Sequence, residues 1–510
     1  MADLSKPECE PREFELKLEF NPTDLAAIEA HPLLAGLRLD RQTLISVYYD
    51  TSDLALYKAR LCLRVRNIGN GYVQTIKTMT GMAELFDRPE WEHKIKGRDP
   101  ELSLAAGTPL EPVLQAGAGA GLRPLFQTGV ERGVYHVTSN GSEIEIAVDR
   151  GLIEAAQRRA PVHEIELELK RGDPAELFRL ARSLAATVPL QLAVKTKAER
   201  GYELATNVTP GAEKATRIDL DGSLTCQQAF RAIAQNCLRQ IILNERGMCA
   251  CDAQSLHQMR IGLRRLRSAI VAFEKITTDK EQERINRELK WITNELGPAR
   301  DLDVFETDIL QPMSVTHGED ARFAETRRAF IAARAKAYRL AAASMRSNRF
   351  RTVLLDVAEW IEAGPWTRDK SLRKRREETI AEHAAKLLSR GRKRIRDDGA
   401  DLRALDVKKR HKLRIRAKNL RYAVEFFARV FPGEKNAARR EAALAALKDL
   451  QDQLGALNDL AQREALAANG HDLGDHAYGL LTPKAADVDQ LLDRAQKAHA
   501  DFAKVKSFWK

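Results

Sequence analysis

The chain has 510 residues, 44% apolar and 30% charged, which is too long for one ordinary hydrophobic core and too apolar for a disordered protein. Its net charge of +11 is uneven: residues 1–210 hold 26 Lys+Arg against 30 Asp+Glu, whereas residues 211–510 hold 57 against 42, which points to an anionic partner for the C-terminal part. No run approaches the roughly 20 apolar residues of a membrane span, the polar start MADLSKPECEPREFE is no signal peptide, and six cysteines without a CxxC pair read as free thiols, so a cytoplasmic protein is expected.

Up to about residue 205 the pattern is alternation with period two, which predicts strands at EFELKLEF (13–20), LCLRVR (61–66), YVQTIK (72–77), PEWEHKI (89–95), EIEIAVD (143–149) and HEIELELK (163–170). Helical patches interrupt them near 22–30 and 174–186, the second with Asp173 as its predicted N-cap. The Gly-, Ala- and Pro-rich stretch 105–124 reads as a loop around one short helix. A polar linker is expected at 209–222, between a domain over 1–208 and a helical one over 223–510. Within the latter, breaks are expected at Gly297-Pro298, Pro312, Gly364-Pro365 and Pro432-Gly433.

The helical part contains a repeat. HQMRIGLRRLRSAIVAF at 257–273 matches HKLRIRAKNLRYAVEFF at 411–427, a shift of 154, and LGPARDLD at 296–303 matches LGALNDLA at 454–461. Halves of about 223–365 and 366–510 follow. On a helix, His257, Arg260, Arg264 and Arg267 fall within an arc of roughly 80°, beside an apolar stripe of Met259, Leu263, Leu266, Ile270 and Phe273. His411, Arg414, Lys418 and Arg421 take the same places in the second copy, beside Leu413, Ala417, Leu420, Val424 and Phe427. A solvated charged face would mix acids at i,i+4, but residues 257–272 and 408–424 contain none. The ridges therefore call for an external polyanion. Single-strand binders interleave aromatics for base stacking; the ridge positions are all His, Arg or Lys, so nucleic acid is disfavoured against a polymer with charge and no bases. Arg231, Arg239, Arg373, Lys374, Arg392, Lys393, Arg394 and Arg396 are further basic residues, some of them expected to extend this surface.

The ridge, its duplication and the following LGPARDLDV resemble the CHAD family over roughly 223–510. The resemblance implies a pair of four-helix bundles with a basic central surface that binds long-chain inorganic polyphosphate. The second copy departs from the pattern: Lys418 replaces an arginine, and Asn458-Asp459 stand where Arg300-Asp301 stand in the first.

In the N-terminal part, alternation puts Glu13, Glu15 and Lys17 on one strand face and Phe14, Leu16 and Leu18 on the other. The same rule groups Arg64 with Arg66, Glu90 with Glu92 and Lys94, Glu143 with Glu145 and Asp149, and Glu164 with Glu166, Glu168 and Lys170. Closing such a sheet into a barrel would turn cations and carboxylates inward, the first for phosphate oxygens and the second for a divalent metal. That combination suits hydrolysis of a phosphoanhydride, and no P-loop or histidine-nucleophile motif competes with it.

ExExK at Glu13-Phe14-Glu15-Leu16-Lys17, then LRVR, QTIK, PEWE, VERGVY with Arg132, EIELELK and KAERGYEL with Lys197, resemble the CYTH, or triphosphate tunnel, family over roughly 10–205. The two resemblances together are to bacterial CYTH-CHAD inorganic triphosphatases. The fold class expected is an α+β N-terminal antiparallel β-barrel plus an all-α C-terminal duplicated four-helix bundle. The resemblance implies that Lys17, Arg64, Arg66, Lys77, Arg132 and Lys197 hold the substrate, and that Glu13, Glu15, Glu164, Glu166 and Glu168 bind Mg²⁺ or Mn²⁺. Glu13, Glu15, Lys17, Glu166 and Glu168 form the implied catalytic set; which carboxylate acts as general base stays open. Tripolyphosphate, split to pyrophosphate and phosphate, is the substrate implied. Two alternatives remain: a nucleotide or thiamine triphosphatase or adenylyl cyclase-like enzyme, and a non-catalytic protein that binds polyphosphate granules. The order of oligomer is not legible.

Overall fold

The computed structural model describes residues 12–79, 85–117, 121–208, 211–317, 321–468 and 485–509. Cys9 lies outside them; Cys62, Cys226, Cys237, Cys249 and Cys251 are free thiols. Among the described residues, no helix is long and apolar enough to cross a membrane.

Nine antiparallel strands make one sheet: β1 (Arg12–Glu19), β2 (Asp40–Asp50), β3 (Leu61–Asn67), β4 (Tyr72–Thr78), β5 (Asp87–Ile95), β6 (Arg123–Ser139), β7 (Ser142–Ala155), β8 (Arg158–Arg171) and β9 (Gln191–Ala193). Their order is β5-β4-β3-β2-β6-β7-β8-β1-β9. All six stretches expected as strands are strands. β2, β6 and β9 lie outside those stretches: Gly129 and Gly133 interrupt the alternation of β6, and β2 turns Ser46 inward where an apolar residue would have marked it.

The expected antiparallel sheet is present, and its end strand β5 pairs with β1 as well as with β4. Strand β1 gives one edge to β8, while the other edge is divided. Lys17–Glu19 pair with β9, which leaves β5 only Arg12, Glu13 and Phe14, opposite Pro89, Arg88 and Asp87. The apolar face predicted for β1 is buried, with Leu16 and Leu18 fully enclosed. Helix Ala175–Ala185 packs on β1 and β8 and buries Leu177, Phe178, Leu180 and Leu184. Each enclosed leucine or phenylalanine contributes about 1.5–3 kcal/mol relative to exposure. This helix starts one residue later than expected. Pro174 takes the cap position, and Asp173 instead accepts the Ala175 N–H at 3.0 Å.

One short helix matters more than its length indicates. Lys197–Thr206 opens with a capping box in which Thr196 accepts the Glu199 N–H while the Glu199 carboxylate accepts the Thr196 N–H. Its Tyr202 is buried edge-on to Phe126, with ring centroids 5.2 Å apart, and donates to the buried Asp50 carboxylate at 2.9 Å. Asp50 also accepts the Thr51, Leu56 and Tyr57 N–H groups, so the end of β2 anchors this helix.

The rest of the described chain is helical. The molecule divides into two compact units: one takes the chain up to Arg217 with Ala234–Arg264 and Asp279–Thr367; the other takes Ile218–Ile233, Arg265–Thr278 and everything from Arg368. Within the first unit the helical segments meet the sheet domain directly. Arg182 pairs with Asp356 at 3.3 Å and with Glu359, and Gln235 accepts the Leu85 N–H at 2.8 Å. Both copies of the repeated motif lie on helices, Ala253–Ala272 in one and Val407–Phe426 in the other. The second repeat block differs between copies: Pro298 starts a new helix at Gly297–Phe305, whereas Gly455-Ala456 runs inside the 35-residue helix Glu434–Ala468.

Gly201 lies within the helix Lys197–Thr206, where alanine would ordinarily gain about 1 kcal/mol. A Cβ there would fall 2.0 Å from the Phe126 ring, itself buried and stacked on Tyr48 with centroids 4.5 Å apart. Overpacking of this kind costs about 1–3 kcal/mol. Gly201→Ala is therefore expected to lower the urea midpoint, and an unchanged or raised midpoint would show that the ring yields.

Candidate active site

The charged faces of β1, β3, β4, β5, β6, β7 and β8 and the start of helix Lys197–Thr206 line one cavity of about 240 Å³. All six expected substrate cations reach it: Lys17, Arg64, Arg66, Lys77, Arg132 and Lys197. Of the carboxylates expected to bind metal, Glu13, Glu15, Glu166 and Glu168 line it, whereas Glu164 does not.

Register places these groups in rows. Lys17 of β1 faces Glu166 of β8; Glu15 faces Glu168, which in turn faces Glu145 of β7; and Glu164 faces Asp149. The first row is the hub of an ion-pair lattice. Glu166 accepts from Lys17 at 2.8 Å, Lys197 at 2.9 Å and Arg132 at 2.5 Å. Burial pushes its carboxyl up, but Lys17, Lys197 and Arg132 outweigh burial and hold it well below the usual carboxylate range. Arg132 also makes a two-pronged pair with Asp149, both contacts at 2.7 Å. Lys197 directs its ammonium at three carboxylates, Asp149 (2.8 Å), Glu164 (2.9 Å) and Glu166 (2.9 Å), one for each N–H it owns. The other Glu164 oxygen takes Arg200 at 2.7 Å. Glu164 is thus fully enclosed, with both oxygens engaged by cations.

A second group surrounds Arg64. Its guanidinium donates to Thr75 at 2.8 Å and Glu92 at 3.3 Å and lies 3.6 Å from Glu90. Lys77 pairs with Glu90 and, at 3.2 Å, with Glu13. Burial, a shared hydrogen bond with Glu90 and repulsion from Glu90 and Glu15 push the Glu13 carboxyl up to about 7 despite Lys77. Arg66 is the exception among these cations. It donates to Ser46 at 3.2 Å, and no carboxylate among the described residues lies within ion-pair distance of it. Burial first, then Arg64 and Arg132, push its guanidinium down to about 10. The cavity therefore holds a cation that lacks a counter-charge.

The row Glu15–Glu168–Glu145 holds three carboxylates directly opposite one another, an unfavourable arrangement unless cations intervene. Lys170 reaches Glu168 at 2.6 Å and Glu145 at 3.8 Å, and Lys17 reaches Glu15 at 2.7 Å. Burial raises the Glu168 carboxyl, Lys170 opposes this, and Glu13 and Glu145 raise it further. Hard oxygen donors suit Mg²⁺ or Mn²⁺ by type. Among the described residues, however, no three of these carboxylates bring ligand oxygens within 4.8 Å of one another. Glu145 and Asp149 share a face with Glu143 in the sequence pattern, but nothing there separated the exposed Glu143 from the two that turn to the site.

The basic ridges keep their predicted stripes. Met259, Leu263, Leu266, Ile270 and Phe273, and likewise Leu413, Ala417, Leu420, Val424 and Phe427, are buried, while all eight ridge residues are half-buried beside them. Burial lowers the His257 imidazole, and Arg300, Arg264 and Arg260 lower it further. Arg260 donates to the Thr293 carbonyl at 2.9 Å. The second ridge is less bare than its sequence indicates. Arg421 pairs with Glu425 at 2.7 Å, one residue past the acid-free stretch, and His411 bonds Asn458 at 2.8 Å. Arg239, counted among residues that might widen the basic surface, turns elsewhere: it donates to the Val194 carbonyl at 2.5 Å and to Glu199 at 2.6 Å, holding the capping box beneath Lys197.

An antiparallel sheet with a cation- and carboxylate-lined cavity, joined to helices that carry paired basic ridges, defines the class of protein. Residues 11–202 match the family model of the CYTH domain, and residues 232–468 that of the CHAD domain. An inorganic triphosphatase of Haemophilus influenzae is 32% identical over 208 residues, covering 38% of this chain and 55% of that one. An uncharacterized protein of Mycobacterium tuberculosis is 29% identical over 277 residues, covering 51% and 49%. The chain spans about half the length of these curated relatives. Among solved structures, the CHAD domain from the plant Ricinus communis is 24% identical, covers 58% of this chain and 98% of that one, and gives a TM-score of 0.46.

Removing one partner of a buried ion pair costs about 3–5 kcal/mol, whereas a half-exposed pair is worth about 1 kcal/mol or less. Glu164→Ala is expected to lower unfolding free energy in urea by about 3 kcal/mol or more, and Glu92→Ala by less than about 1 kcal/mol. Equal effects would show that Glu164 does not brace Lys197.

Proposed function

We propose that the CYTH domain is a divalent-metal-dependent inorganic triphosphatase, hydrolysing tripolyphosphate to pyrophosphate and phosphate, and that the CHAD domain binds long-chain polyphosphate. The observation that carries the first part is Arg66, a cation without a carboxylate partner beside Arg64 in a cavity whose other cations are paired with carboxylates. A phosphate chain supplies the missing counter-charge. The name of the Haemophilus influenzae relative favours an inorganic triphosphate over a nucleotide, and no P-loop is present in the sequence.

In this reading Arg66 and Arg64 take the oxygens of the phosphoryl group that is cleaved, with Lys77 beside them. Arg132, Lys197 and Lys17 are held in place before substrate arrives by Glu166, Asp149 and Glu164, so little reorganisation accompanies the reaction. Lys197 comes into direct contact only by exchanging one of its three carboxylates for a phosphate oxygen. Glu13, Glu15 and Glu168 hold the divalent ion, Mg²⁺ or Mn²⁺, with Glu145 as a further donor. When bound, the ion polarises the phosphoryl oxygens and makes its water a better nucleophile. These carboxylates also orient the attacking water in line with the leaving pyrophosphate and accept its proton. Glu166 serves by holding three cations, and Glu164 by holding Lys197. The polyphosphate reading of the helical part rests on the eight ridge residues and on the CHAD family resemblance. Location at polyphosphate granules would follow from it.

Phosphate release from tripolyphosphate, ATP and long-chain polyphosphate, with Mg²⁺ or Mn²⁺ and after chelation, tests the enzyme. Tripolyphosphate is expected to turn over fastest and chelation to abolish turnover. Arg66→Ala is expected to lower kcat/KM by roughly 10²–10³, the scale for losing one donor to developing charge. Unchanged turnover in both Arg66→Ala and Glu13→Ala would move the reaction out of this cavity.

Binding of long polyphosphate to the full chain tests the ridges. Affinity is expected to fall by roughly a thousandfold or more between 50 and 200 mM salt, the scale for about six phosphate contacts. Arg260→Ala and Arg414→Ala should weaken binding and flatten that slope. Equal affinity for single-stranded DNA would overturn the polyphosphate reading.

A further inference from the structure

The two halves of the repeat meet at a small junction in the second compact unit. Thr225 and Thr379 form an isolated antiparallel bridge, in which the Cys226 N–H donates to the Glu378 carbonyl at 2.9 Å and the Ile380 N–H to the Leu224 carbonyl at 2.8 Å. Both threonines also cap helices, accepting the N–H groups of Gln228 at 3.2 Å and Glu382 at 3.5 Å. Their separation, 154 residues, is the offset of the repeat. The bridge therefore pairs equivalent positions, and its two sides can be compared residue for residue.

They are not alike. One side gathers Cys226, Glu378 and His383, whose thiol, carboxylate and imidazole ligand atoms all lie within 4.8 Å of one another. At the equivalent positions the other side has Ile380, Leu224 and Ala229. Ile380 and Ala229 are fully buried, so this junction packs well without any polar group. Cys226 and His383 are buried as well. The junction thus holds a thiol and an imidazole where the opposite side packs with apolar side chains alone.

The surroundings of His383 are those of a metal ligand. Its Nε2 lies 3.1 Å from the Ala272 carbonyl oxygen, which can only accept, so Nε2 carries the proton and Nδ1 keeps the lone pair a metal takes. The ring is stacked on Phe273, with centroids 4.9 Å apart and planes 17° from parallel, which restricts its rotation. Cys226 has one weak contact, from its thiol to the Thr379 carbonyl at 3.9 Å. Glu378 is partly exposed and pairs with the exposed Lys386, which gives an ion from solvent a route to the cluster.

We propose that Cys226, Glu378 and His383 form a binding site for one borderline divalent cation, Zn²⁺ by its preference for mixed sulfur, nitrogen and oxygen donors, that clamps the junction between the two halves of the repeat. Binding releases the thiol proton and leaves a fourth position to water. The site is separate from the carboxylate row of the sheet domain, whose donors are all oxygen.

Cobalt reports on this site selectively, because only a sulfur ligand produces a thiolate-to-cobalt charge-transfer absorption. Titrating the metal-free full chain with Co²⁺ is expected to develop that absorption to saturation at one ion per chain, and Zn²⁺ to bleach it. Zn²⁺ should also raise Tm. Cys226→Ile and His383→Ala, which install the residues of the opposite side, should lose both the absorption and the Zn²⁺-dependent rise while the metal-free Tm stays close to wild type. Cys226→Ser serves the same purpose with a smaller change should isoleucine not be accommodated. Absence of the absorption in the wild-type chain, its persistence without Cys226, or its loss on replacing Cys249 and Cys251 instead would overturn the site.

Discussion

The central charges of the sheet domain's cavity are arranged around the problem of keeping Glu166 ionised and enclosed. A lone carboxylate in that position would be protonated by burial; three cations from three different elements, Lys17 on β1, Arg132 on β6 and Lys197 at the head of a helix, hold it ionised instead. Removing any one of them would leave the others over-supplied with negative charge, so the strands and the helix are locked to one another by electrostatics as well as by the ladder. Asp149 and Glu164 extend the same logic outward to Arg132, Lys197 and Arg200. The cost of desolvating so many charges is offset only because nearly all of them are paired at 2.5–2.9 Å.

Against that matched background two imbalances stand out. Arg66 has excess positive charge around it, and the row Glu15–Glu168–Glu145 has excess negative charge. A triphosphate with a divalent cation would correct both at once, since its oxygens meet the guanidinium and its ion meets the carboxylates. The carboxylate oxygens do not converge to coordination distance by themselves; phosphate oxygens would have to complete the ion's shell.

The helical part shows what duplication preserves and what it lets drift. Both copies keep the buried stripe, because the core would lose several kcal/mol without it. The polar decoration changes freely: Arg421 finds Glu425, Asn458 stands where Arg300 stands and bonds His411, and Pro298 starts a helix that its counterpart does not. Cys226, Glu378 and His383 beside their apolar equivalents are the sharpest case of the same divergence.

The sequence by itself determined what depends on neighbours along the chain. Period-two alternation located six strands, the rotation per residue of a helix located both ridges with their stripes, and strand parity grouped the cavity's cations and carboxylates by face. What it could not determine is which strands lie side by side, because hydrogen-bond partners across a sheet are separated by tens to hundreds of residues and leave no periodic trace. Only the tertiary structure decided that β1 divides one edge between β5 and β9, that Glu164 turns to Lys197 and Arg200 rather than to the cavity, and that Asp149 belongs to the lattice. It decided as well that Arg239, an unremarkable cation in the sequence, braces the helix that delivers Lys197. Residue type and spacing select the chemistry available to a site; which charges cancel and which are left over is settled by distances that folding alone sets.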